Sequence, residues 1–368
     1  MTSVRNFYAG PCALPRQVKQ RIQAELLDYH GLGLSIMEIS HRAAPVVELI
    51  EQTARAFKRV AGLDDAYEVL FLQGGGSLQF SMIPLNFSHP GDPVDYVESG
   101  IWAARASAEA RKLGRDVHVA ASSAPEHQRY PGDWQVRGAA RYVHLCTNNT
   151  IVGTQLHHVP DVPMPLVGDF SSDILGRQFD HNRFALLYAH AQKSFGASGV
   201  TIVALRRDWL SEVVPGAVLP TMLDYRTHVQ ARSNYNTPPV FSIYVVGKVL
   251  EWIEHDMGGL AGMDRLNRAK AQRLYRLIDA SGFYHNPVEL ASRSLMNVIF
   301  RLPTVELERR FLDRADAHGL VGLAGHRQWG GCRASLYNGV SLEDVEVLAA
   351  FMEAFAHEHG KNHPATLW

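Results

Sequence analysis

Seven short apolar runs, most of them separated by helical stretches, constrain the fold of this chain more than any other feature. They are YEVLFLQ (67–73), DPVDYVESG (92–100), DVHVA (116–120), ARYVHLC (140–146), MPLVGDF (164–170), FALLYAH (184–190) and GVTIVAL (199–205). Runs of this length, bounded by Gly, Asp and Pro, read as strands buried on both faces. The first passes into GGGSLQFSMIPLNF, a glycine-rich turn that opens a helix, and the second into the helical pattern IWAARASAEARKLG. Strands alternating with helices predict an α/β fold around a mainly parallel seven-stranded sheet with helices on both faces.

The texture changes after the amphipathic stretch 236–259, which the Pro238–Pro239 pair helps to start. More charged helices follow, with extended pieces near LMNVIFRLP, 320–324 and 332–336. A large domain over 17–257 and a smaller α/β domain over 258–368 are expected, with residues 1–16 packing beside the second. The chain has 368 residues, 46% hydrophobic and 20% charged, enough for more than one core. Its net charge of −1 argues against nucleic acid as a partner, since phosphate backbones select a basic excess. No apolar run approaches the roughly 18 residues of a membrane span, and the N-terminus lacks the apolar stretch of a signal peptide. Cys12, Cys146 and Cys332 are odd in number and lie far apart. Reduced thiols in a cytoplasmic protein are the expectation.

Lys193 stands out because it sits in the short connection between two buried strands. An ammonium that leaves water without a partner costs several kcal/mol, whereas an amine that forms a Schiff base with a carbonyl cofactor has a use for such a place. Pyridoxal phosphate would also need an anion site, an acid for its pyridine nitrogen, a flat partner for the ring and a donor for the phenolic oxygen. Candidates for each lie at C-terminal strand ends, where open α/β sheets place ligands. Gly76 and Ser77 open a helix whose backbone N–H groups can hold a phosphate. Asp169 ends a strand and can pair with the pyridinium, Trp102 can stack, and Thr150 can reach the phenolic oxygen. Taken singly, each has an ordinary structural use: a turn, a cap, a core ring, a loop hydroxyl, a surface lysine. Their joint order along the chain points to the cofactor.

That order, with GDFSSD (168–173) and AHAQKSFG (189–196), resembles the fold-type I pyridoxal-phosphate enzymes. More narrowly it resembles the phosphoserine aminotransferases of class V. The likeness runs nearly end to end, through NFYAGPCALP at the start, GLSIMEISHR (33–42), FLQGGGSLQF (71–80), VESGIWAARA (97–106), TNNTIVGTQ (147–155), AQKSFGASGVTIV (191–203), NYNTPPVFSIY (234–244) and AGHRQWGGCRASLYNG (324–339). The resemblance implies Lys193 as the Schiff-base lysine and Asp169 as the pyridine partner, with Trp102 and Thr150 in the roles above. It also implies Gly76, Ser77 and Gln192 as phosphate contacts. Asn236 and Thr237 would reach the phosphate from the neighbouring subunit of a homodimer. Some members of the family carry Arg where this chain has Ser77, which leaves the phosphate here more dependent on neutral donors.

His41, Arg42, His326, Arg327 and Arg333 fit a substrate with two anionic ends, because guanidinium forks match carboxylate and phosphate. By resemblance, Arg333 would hold the α-carboxylate and the two His–Arg pairs the distal anion, partly across the dimer. Glutamate and 3-phosphohydroxypyruvate each carry a distal negative charge, so one basic cleft can serve both halves of a ping-pong transamination. The expected reaction gives O-phosphoserine and 2-oxoglutarate in serine biosynthesis, with the phosphorylated four-carbon keto acid of pyridoxine biosynthesis as a further substrate. An alanine–glyoxylate type aminotransferase is the nearest rival, but it has no need of two His–Arg pairs. A cysteine desulfurase would need a cysteine in a mobile catalytic loop, and none of the three here lies in an evident one. A nucleotide-binding module fails because the glycines match neither G-x-G-x-x-G nor a P-loop, and a non-catalytic binding module leaves the lysine unexplained.

Overall fold

The computed structural model describes residues 4–214 and 219–360. The seven expected strands form one sheet. After a short N-terminal strand β1 (Arg5–Asn6) come β2 (Tyr67–Leu72), β3 (Pro93–Glu98), β4 (Asp116–Ser122), β5 (Val143–Cys146), β6 (Leu166–Asp169), β7 (Phe184–His190) and β8 (Thr201–Arg206). The sheet order is β2-β8-β7-β6-β5-β3-β4. Pairings among β4, β3, β5, β6 and β7 are parallel, whereas β8 runs antiparallel to both of its neighbours. The sheet is therefore mainly parallel, as the alternation implied. The reversal at β8 follows from a connection of only ten residues after β7, too short for a parallel crossover.

Alternate residues of each strand feed two separate cores. Leu187 and Ala189 of β7, with Ile202 and Ala204 of β8, pack toward helices 44–61 and 240–251. Leu186, Tyr188, Val203 and Leu205 pack toward helices 75–87 and 101–112. Both faces being covered explains why these strands read as continuous apolar runs rather than as alternations.

A third core joins Phe7 to Leu274, Phe300, Phe311, Leu348 and Phe355. It lies among helices 259–281, 305–317 and 342–359, β9 (Asn297–Phe300) and β11 (Cys332–Ser335), which pair antiparallel. Strand β10 (Leu320–Val321) pairs in parallel with β1, so the N-terminus is stitched into this C-terminal core. The sequence expectation of one helix over 236–259 is modified. The helix begins at Val240, turns into one π-helical turn at Trp252–Asp256, and stops before Gly258, whose φ of 72° starts the next helix. Residues 1–3, 215–218 and 361–368, on which parts of both expected domains fall, lie outside the described residues.

Candidate active site

Because β2, β3, β5, β6 and β7 run the same way, their C-terminal ends share one edge of the sheet. Each delivers one candidate residue there. The end of β2 leads into Gly74, Gly75 and Gly76, where Gly74 and Gly75 have φ of 85° and 67°. That left-handed backbone favours glycine and turns the chain into helix 75–87. A Cβ at Gly76 would lie 2.5 Å from His190 Nε2, so the third glycine makes room for a side chain. Trp102 stands in the first turn of helix 101–112, after β3 and Gly100. A Cβ at Gly100 would overlap the Asn149 amide, which donates to Ser99 O at 2.9 Å and ties the β3 end to the β5 loop.

Thr150 lies in that loop, and Trp102 Nε1 donates to its hydroxyl at 3.4 Å. Asp169 is buried at the last position of β6, and its carboxylate accepts from Ser171 N–H at 2.9 Å. Lys193 follows β7 in one helical turn, Ala191–Ser194. Its Nζ is 5.9 Å from the centre of the Trp102 ring. Burial pushes the amine below its ordinary value of 10.5, opposed by the charge of Asp169. A lysine held this way keeps a larger share of neutral, nucleophilic amine than one on the surface.

The turn that carries Lys193 is clamped from both sides. Gly196 packs so closely on Val246 that a Cβ would lie 2.8 Å from its Cγ2. Cys12 N–H donates to Gln192 O at 3.0 Å, and the Cys12 thiol hydrogen bonds to Lys193 O. Burial pushes the Cys12 thiol up to about 12, so it remains a donor. Beneath this edge the buried carboxylate of Asp173 accepts from Thr147 Oγ1 (2.5 Å), Gln155 Nε2 (3.1 Å) and Arg177 Nη2 (3.0 Å). The Thr147 backbone N–H donates to Asp169 O at 3.0 Å. The network thereby joins the Thr150 loop to the end of β6.

The basic residues form two neighbourhoods on this chain. Arg333 donates through Nη1 to Thr150 O at 2.8 Å, while its Nε is buried without a partner. His326 is held below its ordinary value by burial and by the nearby charges of Arg333, Arg327 and Arg105. Arg105 stacks its guanidinium 4.9 Å over Trp102. His41 instead hydrogen bonds to Thr237 Oγ1 at 3.2 Å and, through its carbonyl, to Asn234 at 2.9 Å. Gln73, beside the glycine turn, donates to Thr237 O at 3.1 Å. Arg42 and Ser77 are exposed, and Asn236 adjoins the His41 group.

The sequence reading missed His190, Arg105, Cys12 and the Asp173 network. Arg105 had a signal, since it stands three positions after Trp102 on one helix face. Cys12 had none, because its contacts span about the first half of the chain. The residues present fit a pyridoxal phosphate. The glycine turn is a cradle that a Cβ would fill, Asp169 is a buried carboxylate at the sheet edge, and Arg333 Nε has spare hydrogen-bonding capacity. Among the described residues, no group of three or more His, Cys, Asp and Glu is arranged to hold a metal, and no helix is long and apolar enough to cross a membrane.

Comparison with known proteins gives a consistent picture. The family model for aminotransferase class-V matches residues 4–348. The phosphoserine aminotransferase of Syntrophobacter fumaroxidans is 49% identical over 359 residues, covering 97% of this chain and 99% of the relative. The solved phosphoserine aminotransferase from Bacillus circulans subsp. alkalophilus superposes with a TM-score of 0.94 at 48% identity, covering 98% of this chain and 100% of that one. A solved phosphoserine aminotransferase studied for radiation damage of its Schiff base superposes with a TM-score of 0.94 at 43% identity, covering 97% of this chain and 100% of that one.

Proposed function

The chain belongs to the class-V aminotransferases and, within them, to the phosphoserine aminotransferases; on that premise we propose which of its residues carry the reaction. It is a pyridoxal-phosphate-dependent enzyme of serine biosynthesis that moves an amino group between glutamate and 3-phosphohydroxypyruvate. When bound, the cofactor supplies an aldehyde that takes up the amino group and a ring that receives the electron pair of the Cα–H bond.

Lys193 holds the cofactor between turnovers. Once displaced, its amine takes the proton from the substrate Cα and returns it on the other side of the transferred nitrogen. Asp169, buried at the end of β6, would pair with the pyridine nitrogen and keep it protonated. Trp102 faces the ring, and Thr150 orients the phenolic oxygen. Gly76, Ser77 and Gln192 receive the phosphate, with Asn236 and Thr237 contributed by a second copy in a homodimer. Arg333 grips the α-carboxylate of either substrate. His41, Arg42, His326 and Arg327 hold the distal anion, with Arg105 near His326. The phosphorylated four-carbon keto acid of pyridoxine biosynthesis presents the same distal phosphate and fits the same cleft.

We divide the chain into a cofactor domain over 17–257 and a small domain over 258–368, with 1–16 beside the second; the separate core around Phe7 supports this. Three unpaired thiols fit a reducing, cytoplasmic setting. The observation that carries the assignment of roles is the meeting of Lys193, Trp102 and Thr150 beside buried Asp169 at one sheet edge. The test is borohydride reduction of the cofactor-loaded enzyme followed by peptide mass spectrometry. The label is expected on Lys193 and on no other lysine, and Lys193→Ala is expected to have no turnover. A labelled lysine elsewhere would overturn the assignment.

A further inference from the structure

In the phosphate cradle, one titratable side chain outside the roles above is in direct contact with the glycine turn. Gly76 N–H donates to the ring of His190, with Nε2 at 2.9 Å and Nδ1 at 3.3 Å. A Cβ added at Gly75 would lie 3.1 Å from the same ring, so the imidazole lies against the turn. Gln192 Nε2 is 3.5 Å from His190 Nδ1, which joins the ring to a second phosphate candidate. The amide that should greet a phosphate is thus held by a ring nitrogen.

We propose that His190 is a phosphate-binding residue and that seating the cofactor phosphate is coupled to uptake of one proton by its imidazole. The proposal rests on the cofactor assignment above. As the structure stands, the neutral ring accepts from Gly76. When a phosphate oxygen takes over that N–H, the ring nitrogen loses its donor and faces an anion. It is then best used as a donor itself, and a solvent proton supplies the missing hydrogen. No bond to carbon or phosphorus changes.

Before a phosphate arrives, the surroundings of the ring on balance oppose its protonation. Helix 75–87 begins GGSLQFSM and brings no ionisable side chain in its first two turns. Its contribution is the N–H dipole alone, roughly half a positive charge. The charged groups that face His190 are Asp169 from the end of β6, which favours the imidazolium, and Lys193 from the following turn, which opposes it. Tyr188 from β7 also borders the cradle, near Gly76. Burial holds the ring below its ordinary value and so keeps it neutral until the anion arrives. A dianionic phosphate then reverses the balance.

The experiment compares pyridoxal 5′-phosphate with pyridoxal, which lacks the phosphate, on apo-protein between pH 6.5 and 8.5. The affinity ratio of the two ligands isolates the phosphate contribution. A ratio falling by up to about tenfold per pH unit is expected for the wild type, the limit set by one coupled proton, and a flat ratio for H190Q. Calorimetry of the wild type in buffers of different ionisation enthalpy reads the same event without a mutation. About one proton more is expected with the phosphate ester than with pyridoxal. Equal proton counts for the two ligands, or the same slope in H190Q, would overturn the proposal. Borohydride labelling of Lys193 in the same samples stays positive in either case; its loss would count against the cofactor assignment instead.

Discussion

At the scale of single residues, position at a strand end decides what a side chain can do. Lys193 is half-buried and Lys270 fully buried, and they differ in use. Lys270 donates to three carbonyls, Leu336 O, Tyr337 O and Val340 O, at 2.8 to 2.9 Å, and is consumed in holding that turn. Lys193 has its backbone clamped and its Nζ directed toward the Trp102 ring. Burial disfavours its ammonium, so the folded-state value lies below 10.5 and the neutral amine persists to lower pH than on a surface lysine. The apo-protein should therefore capture an aldehyde at Lys193 with a rate that falls only as pH drops through that lowered value. It should level off before the ordinary lysine range is reached. Stopped-flow absorbance of pyridoxal addition checks this; a midpoint at or above 10.5 would contradict it. Lys193, Asp169, Trp102 and Thr150 were legible because each stands next to a strand boundary that the apolar pattern marks. His190 was hidden, since as the last residue of a strand it reads as an ordinary half-buried side chain.

At the scale of elements, the site depends on loops made rigid by buried polar pairs. Asp173 and Arg177 are 2% and 4% exposed, and Asp173 binds Thr147 and Gln155 as well. Removing one partner of a buried pair leaves an uncompensated charge, which costs about 3–5 kcal/mol. Asp173→Ala should lose about that much stability in chemical denaturation. Because the Thr147 backbone N–H is tied to Asp169 O, the variant should bind cofactor more weakly even where it is still folded. A variant with unchanged stability would show that the pair is solvent-relaxed. The sequence showed GDFSSD as a motif but not its second function, since the partners Thr147 and Gln155 lie on another strand's loop. Strand β8 shows the same limit. Its apolar run predicts a strand without predicting its direction, and the short connection after β7 settles that.

At the scale of the whole molecule, residues 4–16 are tied to two distant parts of the chain. Phe7 is fully buried in the C-terminal core, and β1 is paired to β10. The Cys12 segment meanwhile crosses to the Lys193 turn, so one short stretch touches both the small core and the catalytic edge. His41, Thr237 and Gln73 are joined by hydrogen bonds, and in the proposed homodimer Asn236 and Thr237 serve the site of the second copy. A mixture of Lys193→Ala and Asn236→Ala/Thr237→Ala proteins, allowed to exchange subunits, should then exceed the mean activity of its parents. Random pairing restores about one quarter of the intact sites. No gain after verified exchange would place each site within a single subunit.

The amino-acid sequence alone determined the α/β class, the mainly parallel seven-stranded sheet and the strand-end residues of the catalytic edge. Local periodicity and chain order carry that information. Tertiary structure decided the reversed strand, the π-turn before helix 259–281 and the contacts of His190, Cys12 and Asp173. Each of these is a meeting between segments distant along the chain, set by how close two backbones can approach and by which buried polar atom must find a partner. No local pattern encodes such meetings.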